Sequence, residues 1–284
     1  MSLLIADSGS TKTNWCHIDA ERNRDFFKTE GINPYYHSKE DIQQLLQDIL
    51  DNKSTLKGVN RVYFYGAGCT NSDRKKVISD ALRKVFDVRI RVEVHSDLIG
   101  AARSCCGDEE GIVCILGTGS NSGVYNGYQV INQIPSLGFI LGDEGSGAQI
   151  GKKIIQSYFY REIPADLMTE LEKRFDMSRK DVLDAVYSKP NPNRYVSSFS
   201  RFSNEFREHP FIKKLVESAF SEFINRHILH YSESHKYMIS FVGSVAYYNR
   251  DILNILLKDR HLHLNKVIKD PMEGLVEYHL QRDF

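Results

Sequence analysis

Two short stretches rich in glycine, serine and threonine constrain the fold of this chain most strongly. The first covers residues 7–13 and follows the apolar run 3–6, and the second covers residues 117–123 and follows the apolar run 112–116. Apolar runs of this length are typical of buried strands. A further apolar segment follows each stretch, so each predicts a strand–turn–strand unit.

Turns of this composition have two interpretations. Small residues leave backbone N–H groups and hydroxyls exposed, which suits phosphate oxygens. The same residues are equally typical of ordinary hairpin turns, and for either turn alone that is the simpler interpretation. Two such turns in matching contexts favour a nucleotide held between two lobes.

The order of predicted elements repeats along the chain. Residues 1–110 predict the order β-β-β-α-β-α-β-α, and residues 111–284 predict the same order once a helical, charged stretch at about 162–235 is set aside. A duplicated unit implies two similar lobes facing a cleft. We therefore expect an α/β protein with lobes 1–110 and 111–284. The second lobe carries the helical insertion 162–235, which packs either a helical subdomain or a dimer face.

Composition argues against several classes of partner. Lys plus Arg and Asp plus Glu number 37 each, and this balance gives no support for a nucleic acid or an acidic membrane surface as partner. No apolar run approaches the length of a membrane span, and no signal-peptide pattern precedes the first strand. Five cysteines without a paired CxxC motif fit a reducing compartment. We expect a cytoplasmic protein.

Neither turn matches a common phosphate-binding fingerprint, because each is followed by a strand rather than a helix. Asp7 ends the first strand, where its carboxylate could hold Mg²⁺ directly or through water, or cap the hairpin turn. Lys12 is either solvated or in contact with phosphate. Gly243 and Ser244 match residues 66–67 of the first lobe, and such small residues would let an adenine ring lie against the backbone.

Three further polar positions are candidates for binding or catalysis. Asp97 directly follows a strand expected to be central, where its carboxylate could accept the proton of an attacking hydroxyl, although it also suits a helix N-cap, as does Ser96. The acidic residues within 138–147 either approach a polar ligand or form a helix N-terminus. Asn33, before Pro34, either binds a ligand or makes a turn.

Together these stretches resemble the N-acetylglucosamine kinase family, within the superfamily of actin, hexokinase and heat-shock-chaperone ATPases. The resemblance covers nearly the whole chain. Five ordered motifs carry it: residues 6–13, 96–102, 111–121, 141–146 and 241–245.

The resemblance implies a duplicated ribonuclease H-like fold whose two lobes close on ATP and sugar. It implies Mg²⁺ as cofactor, an amino-sugar substrate with N-acetylglucosamine as the leading candidate, and a homodimer. It also implies that Asp97 takes the proton from the sugar hydroxyl. With the positions argued above, the predicted ATP-binding residues are Asp7, Ser10, Thr11, Lys12, Thr13, Gly117, Thr118, Gly119, Gly243 and Ser244. The predicted sugar-binding residues are Asn33, Asp97, Ser136, Leu137, Gly138 and Asp143.

Two departures from the family pattern leave alternatives open. Residues 135–138 replace a Gly-Gly-Trp-Gly-like stretch that lines the sugar site, so the identity of the sugar is open. Ser8 and Ser10 stand where glycines are common, which adds hydroxyls to the first turn. A related branch contains ATPase activators of benzoyl-CoA reductases and hydroxyacyl-CoA dehydratases, with an iron–sulfur cluster between two subunits. A non-catalytic ATP- or sugar-binding regulator is a third possibility.

Overall fold

The computed structural model describes residues 2–9, 11–87 and 89–283. The chain forms two compact units, one made of Met1–Asp108 with Pro271–Phe284 and the other of Glu109–Asp270. The predicted lobes placed their boundary at residue 110 and assigned the last helix to the second lobe. That helix groups with the first unit.

The first unit is built on a five-stranded sheet. Its strands are β1 (Leu3–Ser8), β2 (Lys12–Ile18), β3 (Arg24–Glu30), β4 (Arg61–Gly66) and β5 (Arg91–Ser96). They lie in the order β3-β2-β1-β4-β5, with β1, β4 and β5 parallel and the β1–β2–β3 meander antiparallel. Its helices are α1 (Lys39–Asn52), α2 (Ser72–Val85), α3 (Asp97–Cys106) and α13 (Met272–Asp283).

Both faces of this sheet are covered by helices. The central strand β1 is therefore buried on both sides, which explains why its sequence is continuously apolar. Leu4 and Ala6 belong to a core shared with α1 and α2, whereas Leu3 and Ile5 belong to a second core shared with α13. A strand buried on both faces reads as an uninterrupted apolar run. Because successive side chains alternate, Asp7 continues the face of Leu3 and Ile5.

Side-chain caps set the starts of two helices in this unit. Ser38 and Asp41 form a reciprocal capping box, so α1 begins at Lys39. The side chain of Asn71 accepts a hydrogen bond from the Arg74 N–H and starts α2 at Ser72.

The second unit repeats the sheet of the first. Its strands are β6 (Glu110–Leu116), β7 (Ser120–Asn126), β8 (Val130–Asn132), β9 (Ile239–Val242) and β10 (Leu264–Ile268). Their order, β8-β7-β6-β9-β10, is that of the first unit counted from its first strand. The predicted duplication of topology is confirmed.

The helices of the second unit share mainly one hydrophobic core with this sheet. They are α4 (Gly138–Leu141), α5 (Gly147–Phe159), α6 (Ala165–Arg174), α7 (Arg179–Tyr187), α8 (Pro192–Ser198), α9 (Ser200–Glu205), α10 (Pro210–Arg226), α11 (Ser244–Tyr248) and α12 (Arg250–Lys258). Phe199, Phe202 and Phe220 of the insertion share one core with Ile112 and Cys114 of the sheet. The insertion therefore packs its apolar side chains within its own unit.

The helical segment after the loop at 243–244 is divided into two helices, α11 and α12. The Asn249 side-chain amide donates to the Val245 carbonyl, 2.9 Å away, and its backbone leaves the helical conformation. Such side-chain bonds to the preceding turn compete with helix continuation, which explains the break. Within the described ranges, no helix is both long enough and apolar enough to cross a membrane.

Candidate functional site

The first phosphate-loop candidate is the tight connection between β1 and β2. The Gly9 N–H donates to the Lys12 carbonyl at 3.0 Å, which closes the turn. Thr11 is half-buried and Lys12 is exposed, so both side chains are placed where a ligand can reach them. Ser10, also predicted to bind ATP, lies outside the described residues.

Two hydroxyls under this turn point inward. Ser8 Oγ and Thr13 Oγ1 are 2.7 Å apart, and both accept from the Ile32 N–H. Thr13 also donates to the Glu30 carbonyl at 3.0 Å. Both residues are fully buried, so they tie the turn to the loop that carries Asn33. The phosphate contact expected of Thr13 stays a prediction, since its hydroxyl is used within the fold.

Asp7 has an oxygen-bearing neighbour that the sequence analysis missed. It pairs directly with Asn14 across the β1–β2 ladder, and opposed residues place their side chains on one face. Asn14 is buried, and its Oδ1 accepts no hydrogen bond from any part of the chain that the structure describes. A buried acceptor without a partner costs about 1–3 kcal/mol. A carboxylate and an amide oxygen together fit Mg²⁺, which prefers oxygen ligands, so the residues present fit the predicted ion.

Asp97 occupies the first position of α3, directly after β5. The capping role belongs to Ser96, whose Oγ accepts from the Ile99 N–H, while Asp97 Oδ1 accepts from the Leu98 N–H at 2.8 Å. Burial raises the pKa of the Asp97 carboxyl, against the lowering effect of backbone hydrogen bonds. The side chain keeps partial solvent exposure. A carboxylate with a raised pKa at the carboxyl end of a parallel strand has the properties of a general base.

Asn33 makes the turn that was one of its two predicted roles. Its Oδ1 accepts from the Tyr35 N–H at 2.9 Å, and its carbonyl accepts from the N–H groups of Tyr36 and His37. Asn33 is buried, and its Nδ2 donates no hydrogen bond to the residues described here. The turn therefore leaves an amide donor for a ligand.

The second phosphate-loop candidate connects β6 and β7 and is braced by the start of α5. The Gly147 N–H donates to the Gly117 carbonyl at 2.8 Å, and the Ala148 N–H donates to the Thr118 carbonyl at 3.0 Å. These bonds hold the loop carbonyls toward the helix, and the side chain of Thr118 remains half-buried.

Gly243 lies against the beginning of this loop. Its φ is +124°, and a Cβ there would overlap the Leu116 carbonyl oxygen, so both backbone conformation and space require glycine. Ser244 follows as the first residue of α11. The structure thus brings the predicted adenosine residues next to Gly117.

Asp143 is buried beside the same loop. Its Oδ1 accepts from the Ser120 N–H and from Ser136 Oγ, each at 3.2 Å. A Cβ on Gly119 would lie 2.9 Å from Asp143 Oδ2, which shows how closely the loop approaches this carboxylate. Burial raises the pKa of Asp143, while the bonds from Ser120 and Ser136 lower it. Gly119, predicted to bind ATP, therefore lies close to Ser136 and Asp143, which were predicted to bind the sugar.

The segment that departs from the family pattern presents apolar side chains to solvent. Leu137, Ile140 and Leu141 are 61%, 72% and 73% exposed. Gly138, with φ +73°, begins the short helix α4 between them. Exposed apolar side chains beside the polar atoms of Ser136 and Asp143 form a surface of mixed character.

Sequence analysis also missed the partners of Glu144. This buried carboxylate pairs with Arg226 Nη1 at 2.9 Å and with His227 Nε2 at 3.2 Å. Its burial would raise its pKa, but hydrogen bonds from its own backbone and from His227 lower the pKa overall. Both partners lie on or beside α10, 82 and 83 residues away in sequence, a separation at which local patterns carry no signal.

Comparisons with known proteins agree with this architecture. No family model matches the chain. A solved protein from Porphyromonas gingivalis, described as a candidate N-acetylglucosamine kinase, is 39% identical, with a TM-score of 0.94 and coverage of 99% of this chain and 100% of its own. The ethanolamine utilization protein EutJ from Carboxydothermus hydrogenoformans shares the fold at 14% identity, with a TM-score of 0.50 over 98% of this chain and 90% of its own.

Two curated proteins are similar at lower identity. The N-acetyl-D-glucosamine kinase of Dictyostelium discoideum is 26% identical over 164 residues, which are 53% of this chain and 51% of that protein. The N-acetylmuramic acid/N-acetylglucosamine kinase of Clostridium acetobutylicum is 25% identical over 214 residues, 70% of this chain and 68% of that protein. The match thus spans about half the length of the Dictyostelium relative. With the repeated sheets of an actin-like α/β fold and a whole-length relative at 39% identity, the chain belongs to the N-acetylglucosamine kinase family.

Proposed function

We propose that this protein transfers a phosphoryl group from ATP to an amino sugar, with N-acetylglucosamine as the leading candidate. The observation that carries the proposal is the position of Asp97, a carboxylate with a raised pKa at the carboxyl end of β5. The names of the whole-length and curated relatives support the substrate class.

In this proposal Asp97 accepts the proton of the sugar hydroxyl that attacks the γ-phosphoryl group. The Leu98 N–H, 2.8 Å from Oδ1, fixes the orientation of the carboxylate. The ionised form is the competent one, so the raised pKa makes Asp97 a stronger base than an ordinary aspartate. The N–H groups and hydroxyls of the two turns, including Thr11 and Thr118, bind the phosphates.

Asp7 and Asn14 are the residues that would hold Mg²⁺. When bound, the ion neutralises charge that develops on the phosphate oxygens. The support from the protein is the unpartnered Asn14 Oδ1 beside the Asp7 position, because a buried oxygen of this kind is satisfied by a cation.

Sugar recognition is assigned to Asn33, Asp143 and the residues 136–138. The Asn33 amide offers a donor, and the Asp143 carboxylate, oriented by Ser120 and Ser136, offers an acceptor for sugar hydroxyls. The Clostridium relative is named for two amino sugars. A comparison of N-acetylglucosamine with N-acetylmuramic acid therefore decides which of them this chain accepts.

The alternative of an ATPase activator is not favoured. Its iron–sulfur cluster requires cysteines at a subunit interface, whereas four of the five cysteines are buried and the fifth, Cys106, is half-buried. The similar proteins with assigned activities are named as sugar kinases. From the family resemblance we also propose a cytoplasmic location and a homodimer. Light scattering of the purified protein tests the dimer.

The test of this function is ADP release from Mg-ATP with a panel of sugars. The panel contains N-acetylglucosamine, glucosamine, N-acetylmuramic acid, glucose and a sugar-free control. We expect release that depends on an N-acetylated amino sugar. Release that is independent of sugar, or absent with every sugar, would contradict the proposal.

A further inference from the structure

The two ends of residues 134–144, the segment between β8 and α5, are attached to one place in the helical insertion. At the first end, the Ile134 N–H donates to the Tyr231 hydroxyl at 3.0 Å. At the second end, Glu144 Oε2 lies 3.2 Å from His227 Nε2. His227 and Tyr231 are four positions apart and flank the 3₁₀ turn Ile228–His230. The segment thus begins and ends on the same short piece of chain.

A serine of the sheet joins these two attachments. The Tyr231 hydroxyl lies 2.7 Å from Ser122 Oγ on β7, and Ser122 Oγ lies 3.4 Å from His227 Nδ1. One direction of donation satisfies every member: the Tyr231 hydroxyl donates to Ser122, Ser122 donates to Nδ1, and Nε2 donates to Glu144. Hydrogen bonds in such a chain polarise and strengthen one another.

The four hydrogen-bonded side chains are buried, whereas the middle of the segment 134–144 is exposed. Ser122, Glu144, His227 and Tyr231 are all buried, and removal of one partner would leave a buried polar atom unsatisfied. Leu137, Ile140 and Leu141, by contrast, face solvent. The ends of the segment are therefore fixed to the insertion, and the part between them is presented outward.

We propose that the helical insertion positions the sugar-binding segment, with His227 and Tyr231 as positioning residues for Asp143. Asp143 directly precedes the anchored Glu144, and its φ of +58° lies in the left-handed region, which is uncommon for a residue other than glycine. The proposal rests on the proposed function, in which Asp143 binds the sugar. It gives the insertion a role in substrate recognition.

The test uses Tyr231→Phe, which keeps the ring and removes the hydroxyl that accepts from Ile134. We expect the KM for the sugar to rise about tenfold, the equivalent of one lost hydrogen bond, with the KM for ATP unchanged. His227→Leu should have the same effect. His227→Gln should recover part of the loss, because a glutamine amide can donate to Glu144 in place of Nε2.

The control is Tyr125→Phe. Tyr125 is another fully buried tyrosine of this unit. Its hydroxyl donates to the Gly127 carbonyl at 2.9 Å and not to Ser122 or His227. The Tyr125→Phe variant should keep the wild-type KM for the sugar. Hydrogen exchange adds a readout that needs no catalysis: amides of residues 134–144 should exchange faster in Tyr231→Phe than in the wild type or Tyr125→Phe.

An unchanged KM for the sugar in both Tyr231→Phe and His227→Leu, with unchanged exchange of residues 134–144, would overturn the proposal. An increase of equal size in Tyr125→Phe would also overturn it, because the effect would then reflect lost stability alone. A failure of the proposed function looks different, since the wild type would show no sugar-dependent ADP release. Exchange of the segment would still decide whether the insertion holds it.

Discussion

Asp97 combines a helix start, partial burial and a position at the end of a central strand. Ser96 supplies the cap of α3, so the Asp97 carboxylate is not needed as a cap and accepts hydrogen bonds from the Leu98 N–H and from its own N–H. Its raised pKa arises from burial rather than from a neighbouring acid. The environment therefore disfavours the charged form that the proposed base requires, which is a common property of catalytic groups.

This environment predicts that Asp97→Asn stabilises the protein at neutral pH. A carboxyl whose pKa is raised on folding contributes stability at low pH and loses that contribution as pH rises through its folded pKa. At pH 7 the buried charge is unfavourable, and an asparagine removes the charge while its Oδ1 still accepts from Leu98. We expect a higher Tm than wild type at pH 7 and a smaller difference in acid. A lower Tm at pH 7 would contradict this account.

Gly243 provides a second prediction at this scale. Alanine there would adopt φ near +124° and overlap the Leu116 carbonyl, so we expect Gly243→Ala to lower the free energy of unfolding by more than about 2 kcal/mol. Gly107, with φ +60°, ψ −113° and open space around it, is the control for backbone strain without overlap, and Gly107→Ala should cost less than Gly243→Ala, about 1–3 kcal/mol. Urea unfolding measures both. Equal losses in the two variants would show that overlap at Gly243 has no effect.

The functional residues that sequence analysis did not predict were missed for one physical reason. Asp97 was predicted because it follows a strand expected to be central, and Asp143 because glycines flank it. In the sequence, Asn14 is an ordinary strand residue. Only the structure shows that it lies opposite Asp7 and that its buried Oδ1 accepts no hydrogen bond from the described residues. His227 acts through Glu144, 83 residues away. Such pairings depend on tertiary structure, which local patterns do not encode.

At the scale of elements, α13 is attached to the first sheet by a buried polar cluster. His279 Nε2 lies 2.7 Å from the Tyr65 hydroxyl, which also accepts from Arg103, and His279 Nδ1 lies 3.2 Å from Asp283. The ring of Tyr63 stacks on His279 with centroids 3.7 Å apart. The sequence analysis assigned this helix to the second lobe because it follows the strands of that lobe along the chain. Order along the chain does not show on which sheet a helix packs, so the sequence could not reveal its place in the first unit.

This cluster predicts a loss of stability in mild acid. Burial lowers the pKa of His279 from 6.5 to about 4, so its contribution to stability is present above pH 6.5 and is lost as pH falls toward 4. The loss amounts to about 3 kcal/mol over that interval. His279→Gln should flatten the pH dependence of the free energy of unfolding between pH 6.5 and 4. A slope in this variant equal to that of the wild type would rule out His279 as its source.

The segment around α4 gives another prediction at this scale. Ile140, 72% exposed beside the proposed sugar contacts, is suited to the methyl of an N-acetyl group. Ile140→Ser should reduce the preference for N-acetylglucosamine over glucosamine, measured as the ratio of kcat/KM values, about tenfold. Ile131, an exposed isoleucine on β8, is the control, and Ile131→Ser should leave the ratio unchanged. A ratio that is unaffected in Ile140→Ser would exclude this contact.

At the scale of the whole molecule, the two units repeat one five-stranded sheet, and each places a glycine-containing turn between its first two strands. This repeat was predictable because runs of apolar residues and their spacing recur along the chain. The helical insertion was predicted as well, but its contacts with residues 134–144 were not, because they join elements far apart in sequence.

The most direct measurement is the formation of sugar phosphate from Mg-ATP and N-acetylglucosamine, followed by ³¹P NMR for the wild type and Asp97→Asn. We predict a sugar monophosphate with the wild type and formation about 10²- to 10⁴-fold slower with the variant, as for loss of a general base. Both proteins should bind Mg-ATP equally in calorimetry. No sugar phosphate from the wild type, or equal rates for the two proteins, would contradict the proposal that Asp97 is the base of an amino-sugar kinase.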